Sequence, residues 1–100
     1  MNDVLGYEGR KVVITGAASG MGEAAARLLV ELGAEVHALD IGEVRVPVAQ
    51  ALRTDMKDKA SIDAALPRLP GEIHALFNCA GVPHPPFPAV DTVMINFVGL

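Results

Sequence analysis

The sequence contains one cysteine, no tryptophan, one tyrosine and three phenylalanines in 100 residues. A lone Cys79 cannot form an internal disulfide, and such sparing use of cysteine fits a reducing compartment. With so few rings, a core has to be built from Val, Leu, Ile and Ala. Hydrophobic residues make up 51% of the chain, enough to supply one. The length suits one small domain. Charge of one sign is not concentrated either: 8 Lys and Arg against 12 Asp and Glu leave a net charge of -4, mixed along the chain. That argues against nucleic acid or an anionic membrane as a partner. No apolar run approaches the length of a membrane span. The N-terminal Met1-Asn2-Asp3-Val4 lacks the basic-then-apolar order of a secretory signal. These features point to a cytoplasmic protein. There is no internal repeat, and the proline-rich Pro83-His84-Pro85-Pro86-Phe87-Pro88 is too short to link two domains.

What is present is organised around Val12-Val13-Ile14-Thr15-Gly16-Ala17-Ala18-Ser19-Gly20-Met21-Gly22. A β-prone run enters a glycine-rich turn, and a helix-forming run follows at once. Gly16 permits a sharp exit from the strand. Gly20 lets an anion approach the backbone, and Gly22 lets the helix pack closely on the strand. The free N–H groups and positive end of the helix would face a pyrophosphate. The spacing is Gly-x-x-x-Gly-x-Gly, which is neither G-x-G-x-x-G nor a P-loop, because no Lys follows Gly22. Taken alone, the stretch is also compatible with an ordinary glycine-rich turn.

The rest of the chain reads as alternating strands and helices. Residues 12–15 form a strand buried on both faces, as in a parallel sheet. A helix over residues 20–32 places Met21, Ala25, Leu28, Leu29 and Leu32 on one face, and Gly33 ends it as a left-handed cap. Residues 35–39 form the second strand, with Asp40 at its carboxyl end, 18 positions after Gly22. That spacing suits a carboxylate gripping ribose hydroxyls, although a helix cap or a turn residue would look similar. Residues 42–48 contain Val44, Val46 and Val48 in alternation around Pro47 and are too few for a helix plus loops. An irregular crossover is expected there. The third strand spans 51–54. Asp58 caps a short helix through Leu66, with Ile62, Ala65, Leu66 and Leu69 on its buried side. The fourth strand spans 73–77, and residues 89–100 begin a further helix. Right-handed crossovers then give a three-layer, doubly wound parallel α/β sheet of order 3-2-1-4.

Thr15-Gly16-x-x-x-Gly20-x-Gly22 resembles the cofactor loop of the short-chain dehydrogenase/reductase family. Asn78-Cys79-Ala80-Gly81 resembles its Asn-Asn-Ala-Gly signature, with Cys in the second place. Ile95-Asn96-Phe97-Val98-Gly99 resembles the stretch carrying the Asn of its Asn-Ser-Tyr-Lys tetrad. The resemblance covers about residues 9–100. It implies a Rossmann-type domain over residues 1–100 that binds a nicotinamide dinucleotide. The implied contacts are Gly16, Ser19, Gly20, Met21 and Gly22 at the phosphates, with Asp40 and Ile41 at the ribose. Asp55 and Met56 would lie beside the adenine, and Asn78, Ala80 and Gly81 along the adenosine. For Asp55, a helix-start acid is the competing reading. Asn96 is the one implied catalytic residue, holding a water in a proton relay. Neither Ser19 nor Ile41 is basic, and a carboxylate at Asp40 repels a 2′-phosphate. NAD is therefore expected over NADP, with Arg45 near enough in sequence to weaken the preference.

The implied activity is interconversion of a secondary alcohol and a ketone by hydride transfer, on a small-molecule substrate and in a homo-oligomer, a dimer or tetramer. The short crossover, the Cys-Ala-Gly and the 18 residues from Asn78 to Asn96 are most like the bacterial 3α-hydroxysteroid dehydrogenase/carbonyl reductase members. The family's catalytic Ser, Tyr and Lys lie beyond these positions. The expectation is thus the N-terminal half of an enzyme, inactive alone, with a cofactor-binding module or pseudoenzyme as the alternative. Tyr7 and Lys11 have the right spacing for the family's Tyr-x-x-x-Lys but precede the first strand, and Gly9 breaks a helix between them. They are not expected to be catalytic. His37, His74 and His84 show no spacing for a metal, and none is expected.

Overall fold

The computed structural model describes residues 6–79. Its elements run β1 (Lys11–Thr15), α1 (Gly20–Glu31), β2 (Glu35–Asp40), β3 (Gln50–Arg53), α2 (Lys59–Ala65), a 3-10 turn (Leu66–Arg68) and β4 (Ala75–Asn78). The helix expected over 89–100, with Asn96, Ala80 and Gly81, lies outside the described residues.

The four strands form one sheet in the order β3-β2-β1-β4, and every pairing is parallel. Val12, Val13, Ile14 and Thr15 are all buried, so β1 is the covered centre of the sheet. Alternation along the strands divides the core in two. Val12, Ile14, Val36 and Ala38 pack with Ala26 and Leu29 of α1. Val13, Leu39 and Leu52 pack with Met56 and Ala65 on the α2 side. A helix on each face makes the three-layer α/β architecture.

The crossover from β2 to β3 contains no helix. Its valines are anchored instead: Val46 is buried in the α1-side core, with Val44 and Val48 packed against it. Backbone bonds continue the ladder past the strand ends. Gly16 N donates to Leu39 O at 2.9 Å, Cys79 N to Thr15 O at 3.1 Å and Thr54 N to Asp40 O at 3.0 Å. The carboxyl ends of all four strands, and the loops leaving them, are thereby aligned on one edge of the sheet.

Three details differ from the sequence pattern. Helix α1 turns a different face inward: Gly22, Ala26 and Leu29 are buried, whereas Met21 is 81% exposed and Leu28 54% exposed. The reason is the approach of Gly22 to the end of β1. A Cβ at Gly22 would lie 1.9 Å from the Gly16 carbonyl oxygen, so this contact fixes the helix rotation before the larger side chains are placed. Leu66 is likewise exposed, because the helix passes into the 3-10 turn at that residue and only Ala65, Ile62 and Leu69 meet the core. The outer strands are also shifted, to Gln50–Arg53 and Ala75–Asn78, leaving Ile73 exposed ahead of β4. Helix α1 stops as expected. Gly33 has φ +85°, its N–H donates to Val30 O, and Ala34 N reaches back to Leu29 O, a Schellman closure.

Gly22→Ala should lower the unfolding free energy by about 3 kcal/mol through backbone overlap. Gly71→Ala, where an added Cβ meets nothing within 4 Å, should change it little. Urea denaturation of the two variants checks the contrast, and equal midpoints would contradict it.

Candidate functional site

The site lies where β1 and β2 end. Gly16, with φ +75°, turns the chain out of β1, and Gly20, with φ +57°, starts α1. Nothing lies within 4 Å of the position a Gly20 Cβ would take. Ser19 is the N-cap in extended conformation, and its carbonyl accepts the first helical bond from Glu23 N at 3.3 Å. Its hydroxyl makes no capping bond. The N–H groups of the first turn have no intrahelical partner by geometry, and no side chain among the described residues takes them. The turn therefore offers backbone donors to an anion.

Asp40 ends β2 beside this turn. Its Oδ2 accepts from Ala18 N at 3.0 Å, and its Oδ1 accepts from Gly42 N at 2.7 Å. One carboxylate thus ties the glycine turn to the turn after β2. Each oxygen keeps a further acceptor site, so ribose hydroxyls can still be received. Ile41 is exposed next to it. Gly42 was not singled out by the sequence pattern. A Cβ there would lie 3.2 Å from the Ala18 Cβ and 3.3 Å from Asp40 Oδ1. A glycine two positions after the strand-ending acid was the signal available.

Among the described residues, Asn78 and Asp55 fall along the same edge. Asn78 ends β4 opposite Thr15, and the Thr15 hydroxyl donates to Asn78 Oδ1 at 2.6 Å. This joins the ends of β1 and β4 and assigns Thr15 a part that the sequence reading had not given it. Asp55 follows β3. Its N–H is held by Ser61 Oγ at 2.8 Å, and its Oδ1 accepts from Lys57 N at 2.9 Å. The Met56 side chain points into the α2-side core, so only its backbone faces the edge. Met21, exposed, sits on the first turn of α1. Arg45 is not beside Asp40's acceptor atoms. Its guanidinium donates to Glu23 Oε2 at 3.3 Å. Lys11 opens β1 at the opposite end of the sheet, and Tyr7 packs against the α1-side core, so they form no site with the glycine turn. No group of three or more His, Cys, Asp or Glu among the described residues is placed to hold a metal. No helix among them is long and apolar enough to cross a membrane.

The model of the short chain dehydrogenase family matches residues 10–98, and the chain belongs to that family. It is 34% identical over 91 residues to coniferyl-alcohol dehydrogenase of Pseudomonas sp. (strain HR199 / DSM 7063), covering 91% of this chain and 35% of that one. It is 38% identical over 94 residues to 2,3-dihydro-2,3-dihydroxybenzoate dehydrogenase of Bacillus subtilis (strain 168), covering 80% and 36%. The chain thus spans about a third of the length of these curated relatives. Among solved structures, 3-ketoacyl-(acyl-carrier-protein) reductase from Brucella melitensis, complexed with NADH, superimposes with a TM-score of 0.77 at 30% identity, over 92% of this chain and 46% of that one.

The Asp40 carboxylate should also matter without any ligand. Asp40→Ala removes two backbone hydrogen bonds to a charged acceptor and should destabilise the ligand-free protein by about 2 kcal/mol. Calorimetric melting of the variant checks this, and an unchanged melting temperature would show that the two bonds contribute nothing to folding.

Proposed function

We propose that this chain is the cofactor-binding part of an NAD-dependent oxidoreductase that interconverts a secondary alcohol and a ketone. A hydroxysteroid is among its candidate substrates. The observation that carries the reading is Asp40 at the end of β2, bonded through Ala18 N to the glycine turn. One side chain joins the place for a pyrophosphate to the place for a ribose. The NADH in the Brucella reductase supports a nicotinamide dinucleotide as the ligand. The relatives' names give different alcohols and so do not narrow the substrate.

The proposed roles draw on the described residues' positions and, for Ala80, Gly81 and Asn96, on the family resemblance alone. The N–H groups of Ser19 to Gly22 bind phosphate. Asp40 accepts from the ribose hydroxyls and disfavours a 2′-phosphate. The Asp55 carboxylate receives the adenine amine, and the exposed Ile41 backs the ribose. Asn78 fixes the end of β4, and Ala80 and Gly81 give the adenosine room. Bound NAD supplies the hydride acceptor. Asn96 orders water and cannot itself titrate, so a separate acid–base group must move the hydroxyl proton. That group is proposed to be the Tyr of a Ser, Tyr and Lys set following residue 100. The protein is proposed to work in the cytoplasm as a homo-oligomer.

The test is NADH formation from a panel of secondary alcohols, 3α-hydroxysteroids included, by residues 1–100 and by the protein extended through a Ser and a Tyr-x-x-x-Lys. Turnover in the longer protein alone is expected. Binding of NAD without turnover in both would favour a module without catalysis. Turnover by residues 1–100 that is lost in Tyr7→Phe would overturn the exclusion of Tyr7 and Lys11. In the same assay, Asp40→Ala should weaken NAD binding by roughly 1.5–3 kcal/mol, and unchanged affinity would remove Asp40 from the ribose site.

A further inference from the structure

Helix α2 covers one half of the core, and one of its side chains also closes the turn that carries Asp55. Residues 54–58 connect β3 to α2, and three bonds fold the last four of them. Asp58 N donates to Asp55 O at 3.0 Å, Lys57 N to Asp55 Oδ1 at 2.9 Å, and Asp55 N to Ser61 Oγ at 2.8 Å. The first two lie within the turn, whereas the third crosses from the turn to the helix. Asp58 is the N-cap of α2, and its own Oδ1 accepts from Ala60 N at 3.0 Å. In a capping box the third helical residue returns its side chain to the N–H of the cap. Here that N–H is already taken by Asp55 O, and the Ser61 hydroxyl reaches three residues further back, to Asp55 N. The residue before the turn is fixed as well. Thr54 is 1% exposed, its N–H donates to Asp40 O and its hydroxyl donates to Leu52 O. Asp55 thus leaves a pinned strand end with its N–H clamped by the helix. These bonds set the direction of the carboxylate while using Oδ1, which leaves Oδ2 for a donor from outside the turn.

We propose that Ser61 is a positioning residue: through Asp55 it sets how well the site distinguishes adenine from a base that lacks the exocyclic amine. This rests on the adenine contact proposed for Asp55. Ser61 acts on Asp55 and not on the ligand. Its hydroxyl holds the Asp55 backbone, and so the carboxylate, on the edge where the strands end. Without that hydroxyl the Asp55 N–H turns to water, and the turn is closed only by bonds internal to it. The carboxylate then loses its fixed direction. A base that donates an amine hydrogen to it binds less well. A base that presents a carbonyl oxygen at the same place makes no such bond and loses nothing. The preference between the two bases is therefore the quantity that Ser61 controls.

The probes are NAD and nicotinamide hypoxanthine dinucleotide, in which a carbonyl oxygen replaces the adenine amine, each titrated by calorimetry into the full chain. The native protein should favour NAD about tenfold, and Asp55→Ala should abolish that preference. Ser61→Ala should reduce it to about threefold by weakening NAD alone. Ser61→Thr, which keeps the hydroxyl, should restore it. Adding Ser61→Ala to Asp55→Ala should change nothing further, because the serine acts only through the aspartate. Lys59→Ala, which removes an exposed pair with Asp63 on the same helix, should keep the native preference. A purely structural defect in α2 would weaken both dinucleotides together, and that result would overturn the proposal. The same reduction in Lys59→Ala would overturn it too. If Asp55→Ala abolishes the preference and Ser61→Ala leaves it untouched, the assignment of Ser61 fails and the adenine contact stands. If the native protein shows no preference, or binds neither dinucleotide, the adenine contact itself fails and the role of Ser61 falls with it.

Discussion

The contact of Gly22 with the Gly16 carbonyl is the constraint on which the rest depends. A helix can start this close to the end of a strand only where its first turn has no side chain to interpose. Bringing α1 down onto β1 decides which face of the helix is buried. It also aims the first-turn N–H groups across the end of the sheet rather than along it. Thr15, buried at the centre of the strand ends, then ties that same point to Asn78 on the other side. The anion-binding geometry is therefore a consequence of packing.

Asp40 turns this local arrangement into a site. Its carboxylate is held by two backbone N–H groups from different loops. It has a part in the ligand-free fold and a part in the proposed binding of ribose. A group with both duties orients before the ligand arrives, which lowers the ordering needed on binding. The same dual use explains why Gly42 matters. A side chain there would crowd Ala18 and Asp40 together.

The sequence made the topology legible because its signals were backbone signals. Glycine spacing, a strand-ending acid and the left-handed Gly33 each specify conformation directly. The strand order followed from handedness. What was not legible depended on neighbours. Met21 and Leu28 have the periodicity of a buried face, yet the Gly16–Gly22 approach rotates them outward. Leu66 loses its place on the helix face because the chain tightens into a 3-10 turn there. The absence of a second crossover helix was readable from residues 42–48. Its consequence, an exposed Arg53 paired with Asp40, required the register of β3. The glycine turn and the strand-end positions of Asp40 and Asn78 were legible, whereas the N–H of Ala18 and the hydroxyl of Ser61 have no sequence signature, and Thr15, though part of the glycine motif, gave no sign of its bond to Asn78.

The central claim is that the glycine turn and the end of β2 act together on one dinucleotide. Titration of NAD into isotope-labelled protein, followed through the backbone amide resonances, tests it most directly. The account predicts the largest changes at the amides of residues 16–22 and at Ile41 and Gly42, with Lys11 and His74 at the other end of the sheet unmoved. Changes centred on that opposite end, or on the turn without the residues after β2, would contradict it.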